Sequence, residues 1–152
     1  MVPRCELVDL VARPTLAVRR RAPVERLPQV LGPAWALVMA CAGKAGAVPV
    51  DAPFVAYHSM DMRDLDLEIG FVFERPLAGD GDVLAGEIPA GEAVQCVHVG
   101  PYDQLGATYG AMRGWMVERG LRHAGPAREF YLDDPQDTPP AELRTLVLLP
   151  VG

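Results

Sequence analysis

"AVQCVHVGPYDQLGATYGAMRGWMVERG", residues 93–120, contains the change of period that decides the fold. From Val94 to Val99 the chain alternates and is rich in β-branched residues, the pattern of a strand with one buried face. Gly100-Pro101 interrupts it as a turn. Beyond the turn, Leu105, Tyr109, Met112 and Met116 fall at i, i+4, i+7 and i+11, a single apolar stripe at helical spacing. Gly120 is placed to close that helix.

The same order of signals occurs earlier, in "TLAVRRRAPVERLPQVLGPAWALVMACAG", residues 15–43. A strand from Thr15 to Arg20 meets a turn at Ala22-Pro23. Moving the helical stripe back by 78 positions lands on Leu27, Leu31, Ala34 and Val38, so the stripe is kept. Gly43 is expected to end this first helix, and Pro33 to kink it or to split it after Gly32. Each helix is followed by a Gly/Pro-rich loop and two strands, Phe54–Met60 and Asp66–Glu74 in one copy, Arg128–Leu132 and Leu143–Val151 in the other. "DLDLEIGFVFE" and "PAELRTLVLLPV" align when Leu67 is set on Leu143, a spacing of 143 − 67 = 76. That is too long for a solenoid repeat.

The expectation is therefore an α+β fold built from duplicated β-α-β-β units, a pseudo-twofold pair of antiparallel-sheet lobes around a central ligand groove. Repeat 1 covers about 15–75, a linker or edge ribbon 76–92, and repeat 2 about 93–151, in one domain over 1–152. Each lobe would carry its helix on one side of its sheet, and the other sides would face the groove.

Composition bounds the function. At 152 residues, 50% hydrophobic and 22% charged, the chain can bury a real core. Its net charge of −6 runs against a coat for nucleic acid or anionic lipid, so direct nucleic-acid binding is not expected. The one dense basic cluster, Arg19-Arg20-Arg21, reads as a solvated strand edge. No run of 18 apolar residues exists to span a membrane, and charges at Arg4, Glu6 and Asp9 interrupt any secretory signal. Three widely spaced cysteines, Cys5, Cys41 and Cys96, make no disulfide framework and fit a reducing, cytoplasmic setting. His58, His98 and His123 stand at no metal-ligand spacing, and no metal or other cofactor is expected.

One residue is out of place. Glu129 lies inside the strand-like "AREFYLDDP", residues 127–135, although glutamate is depleted from strand interiors and an unpaired buried carboxylate is costly. By side-chain alternation Glu129 and Tyr131 share a face, opposite to Arg128 and Phe130. In the first copy Tyr57 aligns with Tyr131, so Val55 takes the place of Glu129. An acid among rings suits flat or cationic organic molecules, through ring faces and counter-charge; the alternative is a rim carboxylate paired with Arg128 or Arg144. Glu68, mid-strand and opposite in phase to Leu67, Ile69 and Phe71, faces the groove if those residues pack on the helix, and is otherwise solvated or paired.

"HVGPYDQL" from His98, the helix bearing Trp115, "REFYLDDP" from Arg128 and "PAELRTLVLLPV" from Pro140, in this order and spacing, resemble the GyrI-like small-molecule-binding domain. That bacterial domain is also the effector-binding module of AraC- and MerR-type multidrug regulators. The resemblance implies a groove between two β-α-β-β units, with Glu129 at the ligand. It also implies aromatic lining by Tyr57 and Tyr131, and more loosely by Trp35, Phe71 and Trp115. It implies a stand-alone protein that senses or sequesters lipophilic compounds. Two alternatives stand beside this reading. One is a hydrolase of reactive, cyclopropanoid-type natural products with Glu129 as its catalytic carboxylate, orienting water by general acid–base chemistry. The other is a modulator of a protein partner such as DNA gyrase.

Overall fold

The computed structural model describes residues 4–152. In chain order the elements are β1 (Cys5–Leu10), β2 (Arg13–Ala22), α1 (Leu27–Lys44), β3 (Phe54–Ser59), β4 (Leu65–Val72), β5 (Val83–Ile88), β6 (Gly91–Val99), α2 (Leu105–Glu118), β7 (Ala127–Tyr131) and β8 (Arg144–Pro150). They fall into two compact units. One spans Val11–Ala90 and carries α1 with strands in the order β3-β4-β2-β5. The other joins the segment ending at Leu10 to Gly91–Gly152, and carries α2 with strands in the order β1-β6-β8-β7.

In the unit that holds α2, β6 and β8 run antiparallel with Val94, Cys96 and His98 opposite Leu149, Val147 and Thr145. Directly opposed residues share a face. Val94, Cys96, Val147 and Leu149, with Ala127 of β7, form one core with Tyr109, Met112 and Met116 of α2. The apolar stripe seen in the sequence is thus the face that α2 buries. The turn between β6 and α2 is fixed on both sides. Gly100 takes φ +134, where a side chain is strained, and its N–H donates to the Leu143 carbonyl at 2.8 Å. Buried His98 bonds Thr108 Oγ1 through Nδ1 at 2.6 Å and the Pro101 carbonyl through Nε2 at 3.0 Å. A carbonyl only accepts, so Nε2 carries the proton in that bond. The end of β6 is thereby tied to the start of α2.

In the other unit, β2 pairs with β4 so that Leu16, Val18 and Arg20 face Phe71, Ile69 and Leu67. Adding 78 to each of these numbers returns the β6–β8 pairs: 16 + 78 = 94 with 71 + 78 = 149, and so on for Cys96–Val147 and His98–Thr145. The frame of these strands therefore repeats at the 78-residue spacing of the helices. The alignment of Leu67 with Leu143 is two residues off; Leu67 corresponds to Thr145. A slip of two keeps every side chain on its face, which is why the hydrophobic pattern tolerated it. The strands β3 and β7 are offset by 74, since Val55 lies opposite Ile69 and Glu129 opposite Val147. The second copy is shorter before this strand because α2 has 14 residues where α1 has 18, while the connecting segments 45–53 and 119–126 differ by one residue.

The edge strands extend the duplication. β5 pairs with β2 as the expected ribbon, Val83 opposite Val18 and Ala85 opposite Leu16. β1, which the sequence reading did not include, pairs with β6, Cys5 opposite Cys96 and Leu7 opposite Val94. Since 5 + 78 = 83 and 7 + 78 = 85, β1 and β5 are also equivalents. Each lies on the sheet of the other copy: β1 precedes β2 in the chain yet pairs with β6, and β5 precedes β6 yet pairs with β2.

Two helix expectations change. α1 runs through Pro33 unbroken from Leu27 to Lys44. Pro33 is exposed and only two turns into the helix, so it removes one backbone bond, to the Gln29 carbonyl, without disturbing the packed side. Gly43 lies inside the helix, and Gly46, at φ +67, takes the left-handed position after it. The triple arginine is occupied by aspartates: Arg19 with Asp66 and Arg21 with Asp64, each at 2.8 Å, and Arg20 with Asp82 at 3.5 Å.

Met112 is fully buried at the centre of the α2 core. Met112→Ala should cost about 2–4 kcal/mol in urea unfolding, whereas Val117→Ala, at a side chain 77% exposed, should stay within about 0.5 kcal/mol.

Candidate functional site

Glu129 is 5% exposed, on β7. Its register partner across the sheet is Val147, whose partner in turn is Cys96. Both belong to the core that α2 covers, so Glu129 projects from the helix side of its sheet. The expectation that the acid occupies the face away from the helices is corrected by this register. A buried carboxylate needs donors, and α2 supplies one directly: the Tyr109 hydroxyl donates to Oε2 at 2.6 Å. The Tyr131 hydroxyl, two residues along β7 and on the same face, donates to Oε1 at 2.7 Å. Both distances are in the range of charge-assisted O–H···O bonds.

A second layer surrounds these phenols. Tyr102, in the turn before α2, stands edge-on to Tyr131 with ring centroids 5.7 Å apart and is 38% exposed. Its hydroxyl is held above the ordinary tyrosine range, first by burial, then by the negative charges of Asp133, Asp134 and Glu129. Asp133 itself is ion-paired with Arg144, which bonds both of its oxygens at 2.9 and 3.0 Å and lowers its pKa, keeping it ionised. Of the two arginines that could pair with Glu129 at a rim, Arg144 is committed to Asp133. The guanidinium of Arg113 lies 5.8 Å from the centre of the Tyr109 ring.

Trp115 is half-buried on α2 and packs against the core, and the Arg119 guanidinium lies 3.8 Å over its ring. Tyr57, Phe71, Trp35 and Glu68 belong to the other unit. Tyr57 is buried opposite Leu67, and half-buried Phe71 lies opposite Leu16. The Trp35 indole donates to the Phe54 carbonyl at 3.3 Å. Glu68 points to the face away from Leu67 and Ile69 and bonds His58 Nε2 at 2.8 Å. Tyr109 and Tyr102 were not singled out as site residues. The signal for Tyr109 was present: its equivalent 78 residues earlier is Leu31, and the equivalent of Glu129 is Val55. The acid–phenol pair replaces an apolar pair in one copy of the repeat.

Among the described residues, no group of three or more His, Cys, Asp and Glu side chains is arranged to hold a metal ion, and no helix is long and apolar enough to cross a membrane.

Comparison with known proteins agrees with this architecture. No curated protein matches the sequence. Among solved structures, the EcmrR C-terminal domain superposes with TM-score 0.87 at 23% identity, covering 100% of this chain and 99% of its own. In the EcmrR–DNA complex the match covers 99% of this chain but 58% of that one, so the chain spans little more than half of the longer protein. A hydrolase from Listeria innocua matches with TM-score 0.67 at 20% identity, covering 98% of this chain and 92% of its own. SAV2435, solved bound to tetraphenylphosphonium, matches with TM-score 0.65 at 11% identity, covering 98% and 94%. These likenesses concern the fold. The family model for the GyrI-like small molecule binding domain matches residues 3–152, and with nearly the whole length covered the chain belongs to that family.

Proposed function

We propose that this domain binds flat or lipophilic cations with Glu129 as the counter-charge and Tyr131 and Tyr102 as the aromatic contacts. One observation carries the reading: a carboxylate 5% exposed whose two oxygens are each held by a phenol. The two phenols fix the acid in one orientation. The negative charges that raise the Tyr102 hydroxyl also favour a cation beside that ring. The lipophilic cation held by SAV2435 is a probe of the right chemistry.

The test is calorimetric titration with tetraphenylphosphonium and with triphenylphosphine oxide, a neutral analogue. In the folded wild type the cation should bind. Glu129→Gln should weaken the cation at least about tenfold, because it removes a buried charge from contact range. The neutral analogue should change less than about threefold, since area burial is preserved. Equal losses for both ligands, or no loss for the cation, would remove Glu129 from the role. Absence of cation binding to the wild type would remove the ligand class.

Tyr131→Phe should weaken the cation by a smaller factor, about three- to tenfold, the worth of one hydrogen bond that orients the acid. Tyr109→Phe leaves Oε2 without its helix donor. It should lower unfolding stability by about 1–3 kcal/mol in urea, and Glu129→Gln should lessen that cost in a double-mutant cycle because an amide is cheaper to bury than a carboxylate.

A further inference from the structure

Cys5 and Cys96 are 91 positions apart in the sequence and directly opposed in the structure, on the paired strands β1 and β6. Opposed residues of an antiparallel pair have Cα atoms about 4.5–5.5 Å apart, inside the about 4.4–6.8 Å window that a disulfide spans. The two side chains share a face, and both are free thiols. Cys5 is partly exposed and packs on the α2 core, of which Cys96 is a buried member. β1 is the end strand of its sheet, paired on one side by β6.

We propose that Cys5 and Cys96 form a redox-active dithiol, a modification site at which a small-molecule disulfide oxidises the pair to a cystine bonding β1 to β6. The order of events follows from exposure. Burial first, and then the Cys5 neighbour, push the Cys96 thiol up to about 12, so the buried sulfur is a poor first nucleophile. Cys5, as thiolate, attacks one sulfur of the oxidant RS–SR, forming a mixed disulfide and expelling RS⁻, which takes up the proton lost by Cys5. Cys96 then attacks the Cys5 sulfur, its proton passing to the second departing RS⁻. One S–S bond forms in the protein, one is broken in the oxidant, and two electrons reduce RS–SR to two RSH. Cys41 lies on α1 in the other unit and takes no part.

This inference is independent of the ligand reading. The test uses the wild-type chain with excess glutathione disulfide, then denaturation, alkylation of free thiols and peptide mapping without reductant. The expected product has Cys41 alone alkylated and the Cys5 peptide joined to the Cys96 peptide. Its thermal midpoint should rise by roughly 10 °C, because the bond closes a loop of most of the chain, and dithiothreitol should reverse the rise. Cys5→Ser should leave Cys96 reduced and the midpoint unchanged by oxidant. Three results would overturn the proposal: a persistent Cys5–glutathione adduct, a dimer linked through Cys5, or three free thiols under conditions that oxidise dithiothreitol.

Discussion

A carboxylate placed under a helix has to be met by donors, and that requirement organises the unit containing α2. Glu129 sits on the strand face that α2 covers, where water is excluded. Tyr109 meets it from the helix and Tyr131 from the same strand. These bonds work only if α2 keeps its rotation and height over the sheet. The His98 bonds to Thr108 and to the Pro101 carbonyl, and the strained Gly100 turn, fix both at the helix's first turn. A cluster that would be costly if half satisfied is instead a reason for one arrangement of helix on strand.

The duplication shows the same frame without that arrangement. In the first copy the positions of Tyr109 and Glu129 hold Leu31 and Val55, an apolar pair that needs no partner. The frames of the two copies agree pair by pair across β2–β4 and β6–β8. The strand frame is therefore the same with and without the acid; the side chains differ, together with a helix four residues shorter before β7. Where two copies share a frame, the positions at which they differ in polarity are the places to look for chemistry.

Much of this was legible beforehand. Six strands and both helices follow from period and turn residues alone, because alternation and a 3.6-residue stripe are local signals. Gly100-Pro101 and Ala22-Pro23 marked the two turns. Three things were not legible. β1 reads as polar and interrupted, since an edge strand over a helix-covered sheet needs few buried side chains; Leu7 is 43% exposed even in place. The exchange of β1 and β5 between copies is a long-range pairing with no local signature. The face carrying Glu129 was misassigned because alternation says which residues share a face but not which face the helix covers. Cross-strand register, with Glu129 opposite Val147 and Val147 opposite Cys96, settles it. By the same logic Glu68, equally conspicuous in sequence, lies away from Leu67 and Ile69 and bonds His58.

That register also sets out a row across one sheet: Cys5, Cys96, Val147 and Glu129, one residue from each of β1, β6, β8 and β7. The thiols stand at one end and the carboxylate at the other. With strands about 4.8 Å apart, Cys96 and Glu129 are separated by roughly two strand spacings. Val147 fills the gap and is fully buried. It belongs to β8, paired on one side with β6 and on the other with β7, whereas β1 is paired on one side alone. The strand between the two groups is thus held on both sides, and of the two thiols Cys5 lies on the end strand while Cys96 lies on β6, itself paired with β1 and β8. A thiol pair reached from the end strand and an acid beyond a strand paired on both sides can each meet a partner without disturbing the other's geometry.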